Sequence, residues 1–283
     1  MPNRFEHCAA LVREADRDRY LAALFAPADR RDALLALYAF NVEIGRVRDV
    51  AREPMPGEIR LQWWREVLNG EREGEGAAHP VAAALIESLR QYKIAPERLS
   101  AIVDAHTFDL YDDPLPTLDD LDNYAVMTRS ALIDIAGEML GADRSRSMML
   151  IRSASIAYTV AGILSGLSRH AARGQVYVPQ EVLDRHGVTR EQVLARQESE
   201  PLKSALAELR RHARRQLAAG RADMADAPIA LLPALLPVAL VAPSLRPMDR
   251  RGYEPFDAPP LSQLRRQWLL WRAARDPDRI FGA

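Results

Sequence analysis

Apolar residues return every three to four positions through nearly every segment of this chain, and no run alternates apolar with polar residues between tight turns. That period lines apolar side chains along one stripe of a helix and withholds the two-residue alternation of a half-buried strand. The expected fold class is therefore all-α. Helices are expected over about 3–25, 28–52, 57–70, 80–93, 97–112, 119–141, 146–170, 201–221, 229–241 and 261–275. Pro27, Pro80 and Pro96 stand where helices should begin, because proline in a first turn forfeits no backbone hydrogen bond. Gly70, Gly141 and Gly220 stand near expected ends. The stretches 71–76 and 112–116 read as connecting loops, and 244–260, rich in proline and without periodicity, as an irregular lead into the last helix.

A chain of 283 residues with 48% hydrophobic content can bury one large core, so a single domain over 1–283 is expected. Acids and bases interleave to a net charge of −1, which leaves no polybasic arm and no bulk signal for a nucleic-acid partner. Cys8 stands alone, so an intrachain disulfide, a cysteine-based zinc site and an iron–sulfur cluster are all excluded, and a reducing, cytoplasmic setting is expected. The first twenty residues carry early acids and no apolar core of signal-peptide length. The most apolar stretch, 229–241, is shorter than the roughly 20 residues that span a bilayer and holds Pro233 and Pro237. Membrane contact would then be peripheral, at the inner membrane, through the apolar segment Ile229 to Leu245 or through the helix bearing Trp268 and Trp271; both also suit core packing. Arginine prevails over lysine, present only as Lys93 and Lys203, and alanine is abundant, which points to a high-GC bacterial genome.

The most acidic region holds Asp109, Asp112, Asp113, Asp119, Asp120 and Asp122, and superficially suits Mg²⁺ binding. The placement favours a structural role. Asp113 precedes Pro114 and belongs at a helix end, while Asp119 and Asp120 precede an apolar run and suit the first turn of a helix, whose free N–H groups and dipole favour carboxylates.

Two segments, 38–50 and 157–183, are helices rich in small and apolar residues. The first contains Tyr38-Ala39-Phe40; the second contains Ile163-Leu164 and the run Arg173-Gly174-Gln175-Val176-Tyr177-Val178-Pro179. Together with Gln62-Trp63-Trp64, His79-Pro80 and Leu121-x-x-Tyr124, these residues resemble the squalene/phytoene synthase family across roughly Tyr20 to Val188. The resemblance implies a multi-helix isoprenoid-synthase-like bundle with a central apolar pocket. It also implies two aspartate motifs that grip Mg²⁺ on a diphosphate leaving group. Here the first motif's acidic positions fall on Gly45, Arg46 and Asp49, and the second's on Gly166 and His170 with Arg169 beside them. One carboxylate of the sets remains. Carboxylates four apart share a helix face and can hold Mg²⁺ in pairs; Asp49 alone cannot, and Arg46, Arg48 and Arg169 would repel the ion. No catalytic residue, no metal ligand and no cofactor is expected, Mg²⁺ entering only if the chain is an active enzyme.

The arginines have two readings. Arg46 and Arg48 suit a solvated helix face, while guanidinium groups, including those of Arg169 and Arg173, can also bind phosphate without a metal. His170 reads more readily as a polar space-filler than as a base. Tyr38, Phe40, Tyr158 and Tyr177 suit a core, and equally a pocket for an isoprenoid or acyl chain. Tyr38, Asn41, Arg46, Arg48, Asp49, Arg169, His170, Arg173 and Tyr177 form the candidate set for a pocket or anion site. Within the family, Ala39-Phe40-Asn41-Val42-Glu43, Asn123-Tyr124-Ala125 and the helix with Trp268 and Trp271 resemble the branch of the mitochondrial assembly factor for respiratory complex I, which lacks the aspartate motifs. That likeness implies a non-catalytic protein with respiratory-complex subunits as partners. A binding protein for an isoprenoid, quinone or lipid stands beside it, and an active head-to-head prenyltransferase using Mg²⁺ is the alternative.

Overall fold

The computed structural model describes residues 3–51, 53–257 and 260–282, and every regular element among them is a helix. The expected helix end at residue 52 and positions 258–259 of the expected irregular lead lie outside the described residues. The chain divides into two compact units interleaved in sequence: Met1–Tyr111 with Ala131–Arg146 and Pro228–Ala234, and Asp112–Ser130 with Ser147–Ala227 and Leu235–Ala283.

The first unit is built round the helix Ala28–Gly45, in which residues 33–40 are buried without interruption. A helix apolar on all sides must be covered on all sides, and Arg4–Ala15, Pro80–Tyr92 and Ala131–Leu140 cover it. Arg4–Ala15 opens on a capping box in which the Asn3 side chain accepts from a first-turn N–H and Glu6 accepts from the Asn3 N–H at 3.1 Å. The helix expected over 3–25 breaks at Asp16, whose carboxylate accepts from the Arg19 N–H at 3.1 Å and starts Arg17–Ala23. Periodicity runs through such a break, because the cap replaces the hydrogen bonds lost and keeps the apolar phase. Arg98 bonds Asp134 at 2.8 Å and also Glu138, joining Glu97–Ala105 to Ala131–Leu140. The stretch 71–76, expected as a loop, contains the start of a helix, Glu73–Ala78. Gly76 is buried against Pro54–Leu68: a Cβ there would stand 3.1 Å from a Val67 methyl, a tight contact that glycine avoids.

The second unit is built round Met148–Ser165, buried on nearly every side and packed against Glu200–Asp223 and Val241–Leu245. Buried Ser153, Ala154, Ser155, Ala157 and Ala161 keep its surface thin enough for close helix approach. Glu200–Asp223 starts at the Ser199 cap, with proline in its first turn, and its buried His212 bonds the buried Asp122 carboxylate at 2.8 Å. Leu118–Ala125 begins with the Thr117 hydroxyl accepting from the Asp120 N–H at 3.1 Å while the Asp120 carboxylate accepts from the Thr117 N–H at 3.0 Å. Asp120 therefore serves as a cap and Asp119 sits in the same first turn.

Other expected helices differ in form, the one over 28–52 breaking at Arg46 and the one over 97–112 ending as a 3₁₀ turn, His106–Leu110. The one over 119–141 passes through a π-helical turn, Val126–Ser130, before Ala131–Leu140. The one over 146–170 breaks at Gly166 and resumes as Leu167–Ala172. The one over 229–241 is a series of short 3₁₀ and α turns, because Pro233 and Pro237 each remove a backbone donor. The series continues through Val241–Leu245 and Arg246–Asp249, into the stretch 244–260 expected to be irregular. Met148–Ser165 and Ile229–Asp249 are long and apolar enough to cross a membrane by length and composition, and more than half of each is buried within the protein.

Gly220, expected near a helix end, lies within Glu200–Asp223. Its lack of a side chain serves packing: a Cβ at this position would overlap the buried Phe281 ring. Glycine-to-alanine changes inside helices ordinarily stabilise by up to about 1 kcal/mol. Here Gly220→Ala is expected to destabilise the chain by roughly 1–3 kcal/mol through overpacking, read from urea unfolding midpoints, and Gly220→Ala combined with Phe281→Leu should recover most of the loss.

Candidate functional site

The first unit carries six of the singled-out positions on one stretch of chain. Tyr38 is buried in the middle of Ala28–Gly45, with the Arg19 guanidinium 5.6 Å from its ring centre. Asn41 is half-buried one turn on. Gly45 is the last residue of this helix, exposed, with open space where a side chain would stand. Arg46 interrupts the helix at φ −91° and ψ −5°, and the chain resumes as Val47–Val50 with Asp49 in it. Arg46 and Asp49 are exposed and Arg48 is half-buried.

Three motifs far apart in sequence meet in this unit. Phe40 packs edge-on against the buried Trp64 ring at 5.1 Å, Trp63 packs on Trp64 at the same distance, and the His79 ring lies 5.1 Å from Trp63 and 5.8 Å from Trp64. His79 also caps Pro80–Tyr92 through Nδ1, which accepts from the Ala82 N–H at 3.3 Å, and its Nε2 stands 3.8 Å from the Glu43 carboxylate. Trp63 donates to Glu75 at 2.9 Å, and Arg72 bonds both Glu66 and Glu75. The Arg72 hydrogen bond holds Glu66 below the usual carboxylate range. The meeting of Glu43, Trp63 and His79 needs the helix packing, which no local pattern encodes.

Cys8 lies buried in this unit. Burial and then the nearby Glu43 charge push its thiol up to about 12. The thiol is therefore protonated at neutral pH and is no nucleophile.

In the second unit, Gly166 ends Met148–Ser165, and Leu167–Ala172 carries Arg169 and His170. Arg169 and Arg173 are exposed; His170 and Tyr177 are half-buried. Helical side chains lean toward the preceding turn, and the His170 ring does so here. A Cβ at Gly166 would meet His170 Cε1 at 2.7 Å and Nε2 at 2.9 Å, and the Gly162 carbonyl at 3.0 Å. The ring also packs edge-on with Tyr177 at 5.0 Å, which in turn stands 6.1 Å from Tyr124 and accepts from Gln175 at 3.1 Å. His170 thus fills space that a side chain at 166 would occupy. Arg129 lies over the Tyr158 ring at 4.9 Å.

The run from Arg173 to Pro179 forms the turn after this helix. Gly174 takes φ +77°, the left-handed conformation that favours glycine, and its carbonyl accepts from Arg190 at 3.0 Å. Pro179 precedes Gln180–Arg185, where the Gln180 N–H donates to Leu115 at 2.8 Å and Glu181 accepts from the Leu118 N–H at 2.7 Å. Gln180–Arg185 and Arg190–Leu194 escaped sequence reasoning, being too short to show a period, although the Thr189 and Gln192 capping box was legible. Among the described residues no three His, Cys, Asp or Glu side chains gather closely enough to hold a metal ion. Gly45, Asp49, Gly166 and His170 between them supply one carboxylate and one imidazole.

A family profile described as squalene/phytoene synthase matches residues 12–272. Human NADH dehydrogenase (ubiquinone) complex I, assembly factor 6, is 27% identical over 250 residues, covering 88% of this chain and 75% of that protein. A presqualene diphosphate synthase of Rhodopseudomonas palustris is 27% identical over 171 residues, covering 60% and 61%. A crystal structure of a dehydrosqualene synthase superposes with a TM-score of 0.79 at 16% identity, covering 96% of this chain and 95% of the other.

Two outcomes are expected from these contacts. Iodoacetamide at about pH 8 should leave Cys8 unmodified in the native chain and alkylate it in urea, because alkylation needs the thiolate; native labelling at the unfolded rate would contradict the burial. Gly166→Asp should lower stability by roughly 1–2 kcal/mol through overlap with the His170 ring, and Gly166→Asp with His170→Ala should regain most of it in the same urea titration.

Proposed function

The chain belongs to the squalene/phytoene synthase family, and from that premise we propose that it is a non-catalytic member acting in the assembly of respiratory complex I, with an isoprenoid or lipid as a bound ligand. The observation that carries the reading is the donor set at the family's two acidic motifs. Mg²⁺ requires near-octahedral oxygen coordination and is held by carboxylates together with substrate phosphates. Gly45, Gly166 and His170 bring no carboxylate, and Asp49 stands in sequence between Arg48 and Val50, three residues from Arg46. These residues do not fit Mg²⁺. Without it, a leaving diphosphate loses the charge neutralisation on which its departure depends.

The coverage of the human assembly factor, over most of both chains, supports assembly as the role. Arg169 and Arg173, both exposed, are the groups proposed to meet an anionic head group, since a guanidinium binds phosphate without a metal. An apolar pocket for the ligand's chain belongs to the same proposal. A ligand of this kind would raise the unfolding temperature by mass action without turnover.

The second reading, an active prenyltransferase condensing two isoprenyl diphosphates with Mg²⁺, is favoured by the likeness to presqualene diphosphate synthase. The purified chain incubated with farnesyl or geranylgeranyl diphosphate and Mg²⁺ is expected to form no condensed product. Product formation that EDTA abolishes would overturn the proposal. In cells lacking the gene, NADH:ubiquinone oxidoreductase activity should fall, and both the native chain and Asp49→Asn should restore it equally; a normal level of the enzyme in those cells would remove the assembly role.

A further inference from the structure

The helix Gln263–Arg275 shows apolar side chains on two faces. Leu270 and Ala273 are buried and attach it to the second unit, while Leu264, Trp268 and Trp271 remain 80%, 50% and 45% exposed. The three exposed residues recur at intervals of four and three, so they lie along one outward stripe, continued four residues on by Arg275. Large exposed apolar groups scattered singly need no explanation; a stripe of three on one helix does.

Within the helix the stripe is flanked by arginines, and Asp276 at its C-terminal cap is taken up by Arg279. The helix holds Arg265, Arg266, Arg272 and Arg275 and no acidic residue. Arg272 lies over the Trp268 ring at 4.4 Å and Arg275 over the Trp271 ring at 4.0 Å. Stacking in this way fixes each guanidinium beside an indole and leaves its edge N–H groups free to donate outward. Along the same helix runs a groove of about 260 Å³ whose lining includes Arg246, Arg265, Arg272, Arg279 and Trp268. Arg279 pairs with Asp276 at 2.6 Å; no carboxylate pairs with Arg246, Arg265 or Arg272 among the described residues.

We propose that this face docks peripherally on an anionic lipid surface, with Leu264, Trp268 and Trp271 entering the headgroup region and the arginines meeting lipid phosphates. Charge complementarity selects this occupant. A neutral protein surface would satisfy the tryptophans and leave the stacked Arg272 and Arg275 guanidinium groups desolvated, whereas phosphodiester headgroups satisfy both, tryptophan being suited to the membrane interface and arginine to phosphate. The groove has room for a headgroup beside the Trp268 ring. The proposal rests on residues separate from the acidic-motif positions and stands independently of whether the chain turns over isoprenoids.

The test is flotation of the full chain with vesicles of phosphatidylcholine alone and of phosphatidylcholine mixed with phosphatidylglycerol. Binding to the mixed vesicles alone is expected, weakened by salt and accompanied by a blue shift of tryptophan fluorescence. Arg272→Gln with Arg275→Gln should reduce partitioning about twenty-five-fold, at about fivefold per arginine, and Trp268→Ala with Trp271→Ala at least about tenfold. Leu264→Asp, at a position too exposed to threaten folding, should also abolish most binding. Equal binding to neutral vesicles, no binding to anionic ones, or partitioning untouched by Leu264→Asp would overturn the proposal. So would a fluorescence response to inorganic phosphate without one to vesicles, which makes the groove a free-anion site, or a dimer that Leu264→Asp converts to a monomer, which assigns the face to a second copy.

Discussion

One nearly encircled helix organises each unit. Ala28–Gly45 and Met148–Ser165 are both 18 residues long and buried through most of their length. A helix with no polar face cannot rest on a surface, so its neighbours must close round it, and the apolar stripes of those neighbours then have a fixed target. Burying even ten such side chains is worth on the order of 15–30 kcal/mol before entropy is subtracted, which is larger than any surface ion pair can contribute. The positions at issue for function lie at the C-terminal ends of these two helices, where burial gives way to exposure at Gly45, Arg46 and Arg169.

The legible part of the fold is the part written in period and punctuation. Continuous apolar phase located nearly every long helix, and prolines located their starts. Phase also concealed the breaks at Asp16, Arg46 and Gly166, because a capped or kinked helix can continue in the same register with its apolar stripe almost undisturbed. The apolar composition after Ile229 reads as a helix, although Pro233 and Pro237 withdraw the donors that a regular α-helix needs. Glu73–Ala78 escapes a local reading for the opposite reason: its glycines lower helix propensity, and Gly76 is buried against Val67, a tertiary contact that no local pattern encodes.

At the candidate positions the sequence named the residues and the structure supplied the partners. The structural reading of the acidic cluster was accessible from Thr117 preceding Asp120 by three, a capping spacing. The buried pair of Asp122 with His212 was not, since 90 residues separate them. The meeting of Phe40, Trp64 and His79 likewise depends on which helices cover Ala28–Gly45. His170 illustrates the finer limit: its side-chain type suggested a space-filler, but the space filled is the one above Gly166, and that depends on a rotamer.

The identities found at the motif positions are the ones that helix ends themselves favour. A helix C-terminus presents unsatisfied carbonyls and the negative end of the dipole, so glycine and cationic side chains are favoured there and carboxylates are opposed. Paired aspartates at such a place persist only where a metal ion repays the electrostatic cost, as a local departure from what the fold prefers. Gly45 followed by Arg46 at one helix end, and Gly166 followed by Arg169, His170 and Arg173 at the other, relieve that cost. Under the proposed reading the loss of metal chemistry and the retention of the fold have one cause: the acidic residues served the metal, and the core never depended on them.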